Sequence, residues 1–245
     1  MPGVSGIKGM LPSPALSNWY KSFTAAYAVD NLPSVSAVAD ADRTAAIELV
    51  AKATDRHSRK AADKGTSIHG LCEQLMRDRM AGVKSTFHAS KEELPYLRSF
   101  ARFVAEFEVR PVAVERTVWS TEYEYAGTID FIGELKGFPG LSIVDYKSGG
   151  SGVYPDAGVQ QTGYIHADSY IDENGEFQPM PKIERAFGLW LQDRGFALYP
   201  LRTDDYMFSV FLKLRDIFTY VTSEADSVVG KPVNRAPIKK IWKPR

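Results

Sequence analysis

Two aspartates and a lysine, Asp130, Asp145 and Lys147, lie in the stretch whose residue types and spacing could best support chemistry. The segment 126–132, AGTIDFI, is β-branched and apolar, and so is 141–147, LSIVDYK. Between them fall Gly133, Gly137, Pro139 and Gly140, residue types that end strands and make turns. The pattern predicts a β-hairpin. With its turn centred between Gly137 and Phe138, Asp130 faces Asp145. Facing side chains lie roughly 4.5–5.5 Å apart at Cβ, where two like charges repel unless a proton or cation sits between them. Lys147 is two residues beyond Asp145 and points to the same face. Two carboxylates beside an ammonium suit a hard divalent cation, Mg²⁺ or Mn²⁺, held by oxygen.

These residues also carry a resemblance. Gly127-Thr128-Ile129-Asp130, Asp145-Tyr146-Lys147, and Gln160 with Tyr164 resemble the GxxD, DxK and QxxxY motifs of RecB-like nucleases, members of the PD-(D/E)XK superfamily. Upstream, Gly65-Thr66-Ser67-Ile68-His69 resembles the start of that group's histidine-bearing helix. The segment 12–20, PSPALSNWY, resembles the N-terminal region of phage-encoded members. The likeness runs from about residue 2 to residue 191, with the motifs in the family's order.

The resemblance implies an α/β fold with a PD-(D/E)XK, restriction-endonuclease-like core: a central mixed β-sheet flanked by helices, behind an N-terminal helical region. It implies that Asp130 and Asp145 hold the divalent ion, with His69 and the backbone carbonyl of Tyr146 as further ligands. Lys147 would orient the attacking water and the phosphate. Gln160, Tyr164 and Ser148, at the head of a glycine-rich loop, would contact DNA. Glu73 and Glu115 would either stand behind the ligands or face solvent. Some relatives carry an iron–sulfur cluster on four cysteines. Cys72 is the only cysteine here, so no iron–sulfur cluster is expected.

The elements around the hairpin follow from periodicity. Residues 1–28 read as an arm and a helix with Ala15, Leu16, Trp19, Tyr20 and Phe23 at helical spacing, 30–38 as a loop at Pro33, and 39–64 as a second helix. Lys52, Arg56, Arg59, Lys60 and Lys64 make its later part basic, either a solvated face or a DNA-backbone contact. A new helix is expected from Gly65 to about residue 80, capped by Thr66 or Ser67, with His69 and Glu73 on one face. Residues 89–110 read as a helix ended by Pro111, and 112–119 as a strand on which Glu115 and Arg116 could pair across the sheet. After the hairpin come a helix over 156–171, a polar loop over 172–181, strands over 183–191 and 195–201, and a helix over 206–221. Three parts are expected in one compact domain: helices over 1–110, a nuclease core over 111–230, and a basic tail over 231–245.

Composition narrows the function classes. The 245 residues include 30 basic and 30 acidic ones, so any DNA contact must come from local patches or from a bound metal. No basic-then-apolar leader opens the sequence, and no apolar run nears the roughly 20 residues that cross a membrane. A cytoplasmic protein with no membrane partner is expected, in the host cytoplasm if the chain is phage-encoded. The expectation is a metal-dependent DNA exonuclease. The resemblance implies phage recombination or DNA end processing, with a single-strand annealing protein as a partner. Alternatives are a structure-specific or restriction-type endonuclease, or a non-catalytic DNA-binding module on the same fold.

Overall fold

A computed structural model describes residues 1–150 and 152–233. Eight α-helices and seven strands follow in chain order among these residues. The first helix, α1, spans only Val4–Lys8, and is followed by α2 (Pro14–Asp30), α3 (Leu32–Ala41), α4 (Arg43–Ala51), α5 (Ala53–Met80) and α6 (Leu94–Glu106). Then come β1 (Arg110–Ser120), β2 (Tyr125–Leu135), β3 (Phe138–Lys147), α7 (Asp156–Ile165), β4 (Ser169–Ile171), β5 (Phe177–Pro179), β6 (Ile183–Gln192), β7 (Gly195–Leu201) and α8 (Asp205–Thr219).

The seven strands form one mixed sheet in the order β5-β4-β1-β2-β3-β6-β7. Only β3 and β6 run parallel; the other pairs are antiparallel. A parallel pair needs a long crossover, and α7 supplies its helix. Each face of the sheet carries a hydrophobic cluster. On one, Ile68, Cys72 and Met76 of α5 and Phe100, Phe103 and Val104 of α6 pack on Val114, Phe131, Val144 and Tyr146. On the other, Val4 and Ile7 of α1, Val159 and Tyr164 of α7, and Phe211 and Leu214 of α8 pack on Val118, Ile129, Ile132 and Ile143. This is the expected fold class: a mixed sheet flanked by helices, with an N-terminal helical region. Among the described residues no helix is long and apolar enough to cross a membrane.

Several boundaries differ from the sequence reading. The stretch 30–38 is mostly helix, because Pro33 sits in the first turn of α3, where its missing N–H is not needed. The helix expected over 39–64 breaks at Asp42, whose carboxylate caps α4 by accepting from Thr44 N at 2.8 Å and Ala45 N at 3.1 Å. No helix starts at Gly65. Helix α5 runs through it without interruption, and Ser67 donates its hydroxyl to Glu93 instead of capping. A glycine inside a helix costs only about 1 kcal/mol, too little to stop a helix anchored at both ends. The helix expected over 156–171 stops at Ile165. Residues 169–171 join the sheet, and the loop expected over 172–181 contributes β5, turned by Asp172 accepting from Asn174 N and Glu176 N. The helix expected over 89–110 is shorter too, and β1 begins at Arg110. Most of the basic tail expected over 231–245 lies outside the described residues.

Candidate functional site

At the level of the aspartates the hairpin has the expected register, but its tip does not: Leu135 pairs with Phe138 and the register shifts between Glu134 and Leu135, so the turn falls at Lys136 and Gly137 instead of centring between Gly137 and Phe138. Phe131 pairs with Val144, Ile132 with Ile143, Gly133 with Ser142 and Glu134 with Leu141, the alignment that sets Asp130 opposite Asp145. The pairing ends one step short of the aspartates. Beyond Val144, β3 follows β6 instead, with Asp145 beside Gly188, Tyr146 beside Leu189 and Lys147 beside Trp190. The parting of β2 and β3 frees the N–H of Tyr146, and Asp130 Oδ2 accepts it at 2.5 Å. Asp130 thus fills the fork between the two strands.

Strand β1 brings a third acid to this level. Val114 pairs with Phe131 and Arg116 with Ile129, which sets Glu115 opposite Asp130. Side chains should alternate between faces along a strand. Val114 and Phe131 nevertheless pack on the α5–α6 face, while Val118 and Ile129 pack on the other. Both strands therefore change face here. In β1 the change coincides with Glu115, whose φ of 48° lies in the left-handed region that non-glycine residues rarely adopt. Arg116 does not pair with Glu115, but with Glu173 at 2.7 Å.

Asp145 is buried. Lys147 Nζ lies 2.5 Å from its Oδ2, a close ion pair. Asp130 is mostly covered, with its side chain 15% exposed. Burial, then the charge of Asp145, push its carboxyl well above the usual range, against the pull of the Tyr146 N–H and Lys147. His69 reaches over from α5, with Nδ1 3.9 Å from Asp130 Oδ2 and its ring edge-on to Tyr146. Burial, then the Lys147 charge, lower its pKa, which favours the neutral imidazole that can ligate a metal. The Tyr146 side chain belongs to the core, packed on Phe100 and Phe131. Only its backbone faces the carboxylates.

Glu73 is held by Arg77 Nε at 2.7 Å. The half-buried Glu115 has its pKa raised first by burial and then by the charge of Glu73. Ser148 follows Lys147 where the chain passes α5 at Gly65; a Cβ on that glycine would lie 3.7 Å from Ser148 Oγ.

Gln160 and Tyr164 are one turn apart on α7 as expected, but both are buried. Gln160 Nε2 donates to Tyr164 Oη at 3.1 Å. Lys8 of α1 covers them, donating to Gln160 Oε1 at 3.3 Å and pairing with Asp156 at 2.9 Å. Gly127 belongs to this packing: a Cβ there would come within 2.6 Å of the Tyr164 ring and 3.2 Å of Val4. The glycine of GxxD and the tyrosine of QxxxY are therefore in contact. Sequence reasoning missed α1 and Lys8. The only signal was Val4 and Ile7 three residues apart, too short a pattern to register as periodic.

A hard cation fits part of this donor set. Asp145 offers a buried carboxylate close to that of Asp130, and the repulsion between the two is what a cation relieves. Among the described residues, however, no three His, Cys, Asp or Glu side chains are gathered closely enough to hold a metal. His69 stands beside the pair, not in contact with it.

No family model matches this sequence, and no curated protein matches it. Among the solved structures that resemble the chain loosely are two of one protein. One is an alkaline exonuclease, LHK-Exo, from Laribacter hongkongensis, at 13% identity and a TM-score of 0.31, covering 65% of this chain and 86% of that one. The other is LHK-Exo in complex with dAMP, at 11% identity, a TM-score of 0.35 and the same coverage. Likenesses at this level say nothing about what the chain does.

Proposed function

We propose that this chain is a divalent-metal-dependent deoxyribonuclease, an exonuclease, with its site on the β2–β3 fork. The observation that carries the reading is the buried Asp145 carboxylate, paired with Lys147 at 2.5 Å, beside a second carboxylate, Asp130, that accepts from the Tyr146 N–H and whose pKa is raised by burial and by Asp145. A fold rarely keeps two acids together in its interior unless something positive is to join them.

Asp130, Asp145, the Tyr146 carbonyl and, after a small movement, His69 would hold the ion, Mg²⁺ or Mn²⁺. When bound, such an ion neutralises charge on a phosphate and makes bound water more acidic. The residues of the chain do the rest. Asp130 is oriented by the Tyr146 N–H. Lys147, fixed by Asp145, holds a scissile phosphate oxygen and orients the attacking water. Attack forms a new P–O bond, the P–O3′ bond breaks, and the leaving 3′ oxygen takes up a proton. Ser148 is the contact for the strand at the mouth. Gln160 and Tyr164 reach DNA only when α1 lifts away; otherwise they shape the floor. Glu115 and Glu73 stand behind Asp130. A role in phage recombination or end processing, with a single-strand annealing protein as partner, rests on the sequence resemblance alone.

The test is digestion of linear double-stranded DNA and of a covalently closed circle, with Mg²⁺ or Mn²⁺ and with EDTA. The proposal expects loss of the linear substrate only, needing metal and absent in Lys147→Ala. A nicked or linearised circle would make the enzyme an endonuclease. No cleavage of either substrate would leave a DNA-binding module.

A further inference from the structure

The N-terminal helices carry a second feature that the site does not use. Trp19, Tyr20 and Phe23 of α2 gather with His57 of α5: the Trp19 ring centroid lies 5.3 Å from those of Tyr20 and Phe23 and 5.7 Å from His57. Trp19 and Tyr20 remain 37% and 36% exposed, and neither α2 nor α3 has a fully buried residue. Cations lie next to these rings. Arg56 and Lys60, one turn apart, border His57 on the same side of α5, and Arg59 lies farther around the helix. All three are exposed and none is in an ion pair among the described residues, although Arg56 donates to the Leu49 carbonyl at 2.8 Å and lies 5.6 Å from the Tyr27 ring. Farther along, Lys64 sits over the Tyr96 ring at 4.7 Å. Helix α5 then passes Ser148 at Gly65 and reaches His69 beside the acid pair. From His57 to His69 is about 18 Å at 1.5 Å per residue.

We propose that this aromatic shelf and the basic side of α5 bind an unpaired DNA strand and lead it to the β2–β3 fork. The inference rests on the nuclease reading and adds the form of the substrate. Exposed rings bordered by exposed cations suit a chain of phosphates carrying bases with open faces. In a duplex the bases stack on one another and offer such rings no face. An apolar protein partner would leave Arg59 and Lys60 unmatched.

Binding is measured in EDTA, so that nothing is cut, by the anisotropy of a labelled oligothymidylate of about 15 nucleotides and of a duplex of equal length. The strand should bind more tightly than the duplex and quench tryptophan fluorescence. The quench should be lost in Trp19→Phe. Tyr20→Ala should weaken strand binding about tenfold. Arg59→Glu with Lys60→Glu, both at exposed positions, should weaken it further and flatten its salt dependence. Cleavage of the same strand is then measured in Mg²⁺, which separates the two readings: strand binding without any cleavage would defeat the nuclease and spare the shelf. Affinities within twofold of wild type for both the Tyr20 and the Arg59–Lys60 variants would overturn the shelf. So would a variant that loses self-association in sedimentation while its DNA binding is unchanged, since the face would then join copies of the chain.

Discussion

The sheet around the β2–β3 fork and the helices α2 to α4 are built on opposite principles. At the fork, groups are fixed from both sides. Tyr146 and Phe131 are fully buried under α5 and α6, and Ile129 and Ile143 are fully buried under α1, α7 and α8. Such packing can hold two carboxylates together against their repulsion, because neither strand can move away. The helices α2 to α4 make their main contacts with one another and with α5. Ala46 is the one buried residue in all three. A region of that kind cannot enforce strained chemistry, but it can offer a surface. The comparison assigns reaction to the fork and recognition to the helices, and each prediction below tests that division.

The largest effect is expected at the fork. Asp145→Asn and Lys147→Ala should each lower cleavage of linear DNA by about 10³-fold or more while leaving the circular dichroism spectrum unchanged. A variant that loses its fold together with its activity would show that these residues build the sheet and do not act on substrate.

Stability should divide in the same way. Phe103→Ala, in the core, should cost about 3–5 kcal/mol in urea unfolding. Leu32→Ala, at an exposed position in α3, should stay within about 0.5 kcal/mol. Equal losses would erase the distinction between the two regions. Gly127→Ala should fall between them, at about 1–3 kcal/mol, because its methyl group meets the Tyr164 ring and Val4.

The smallest effect is a stabilisation. The Asp130 carboxyl is held well above its usual range, mainly by burial and then by Asp145. A raised carboxyl pKa contributes stability that is complete below the unfolded value of about 3.9 and is lost as pH rises through the folded value. Asp130→Asn keeps an acceptor for the Tyr146 N–H and removes that loss. Its melting temperature at neutral pH should exceed that of wild type, and the gain should shrink toward about pH 4. A gain that is the same at every pH would mean that the charge on Asp130 is not the cause.

How much of this was legible in the sequence varied with how local its cause is. The pairing near the aspartates was readable from the two apolar runs, but the tip was not: the turn falls at Lys136 and Gly137, and Pro139 and Gly140, which read as turn residues, lie in β3 beside a register shift. The fork was not, since the parting of β3 from β2 depends on β6, about 40 residues later in the chain. The burial of Gln160 and Tyr164 depends on a five-residue helix that exists only through its contacts with α7, α8 and β2. Helix α3 was hidden because Pro33 reads as a breaker, although a first-turn proline is a starter. The continuity of α5 through Gly65 comes from anchoring at both ends, which no window of sequence displays.

The central claim is that Asp130 and Asp145 together form a cation site. Titration calorimetry with Mn²⁺ in the absence of DNA tests it directly. The account predicts binding to the wild-type protein that disappears in Asp145→Asn and weakens at least tenfold in His69→Ala. Undiminished Mn²⁺ binding by Asp145→Asn, in a protein that still melts cooperatively, would contradict it.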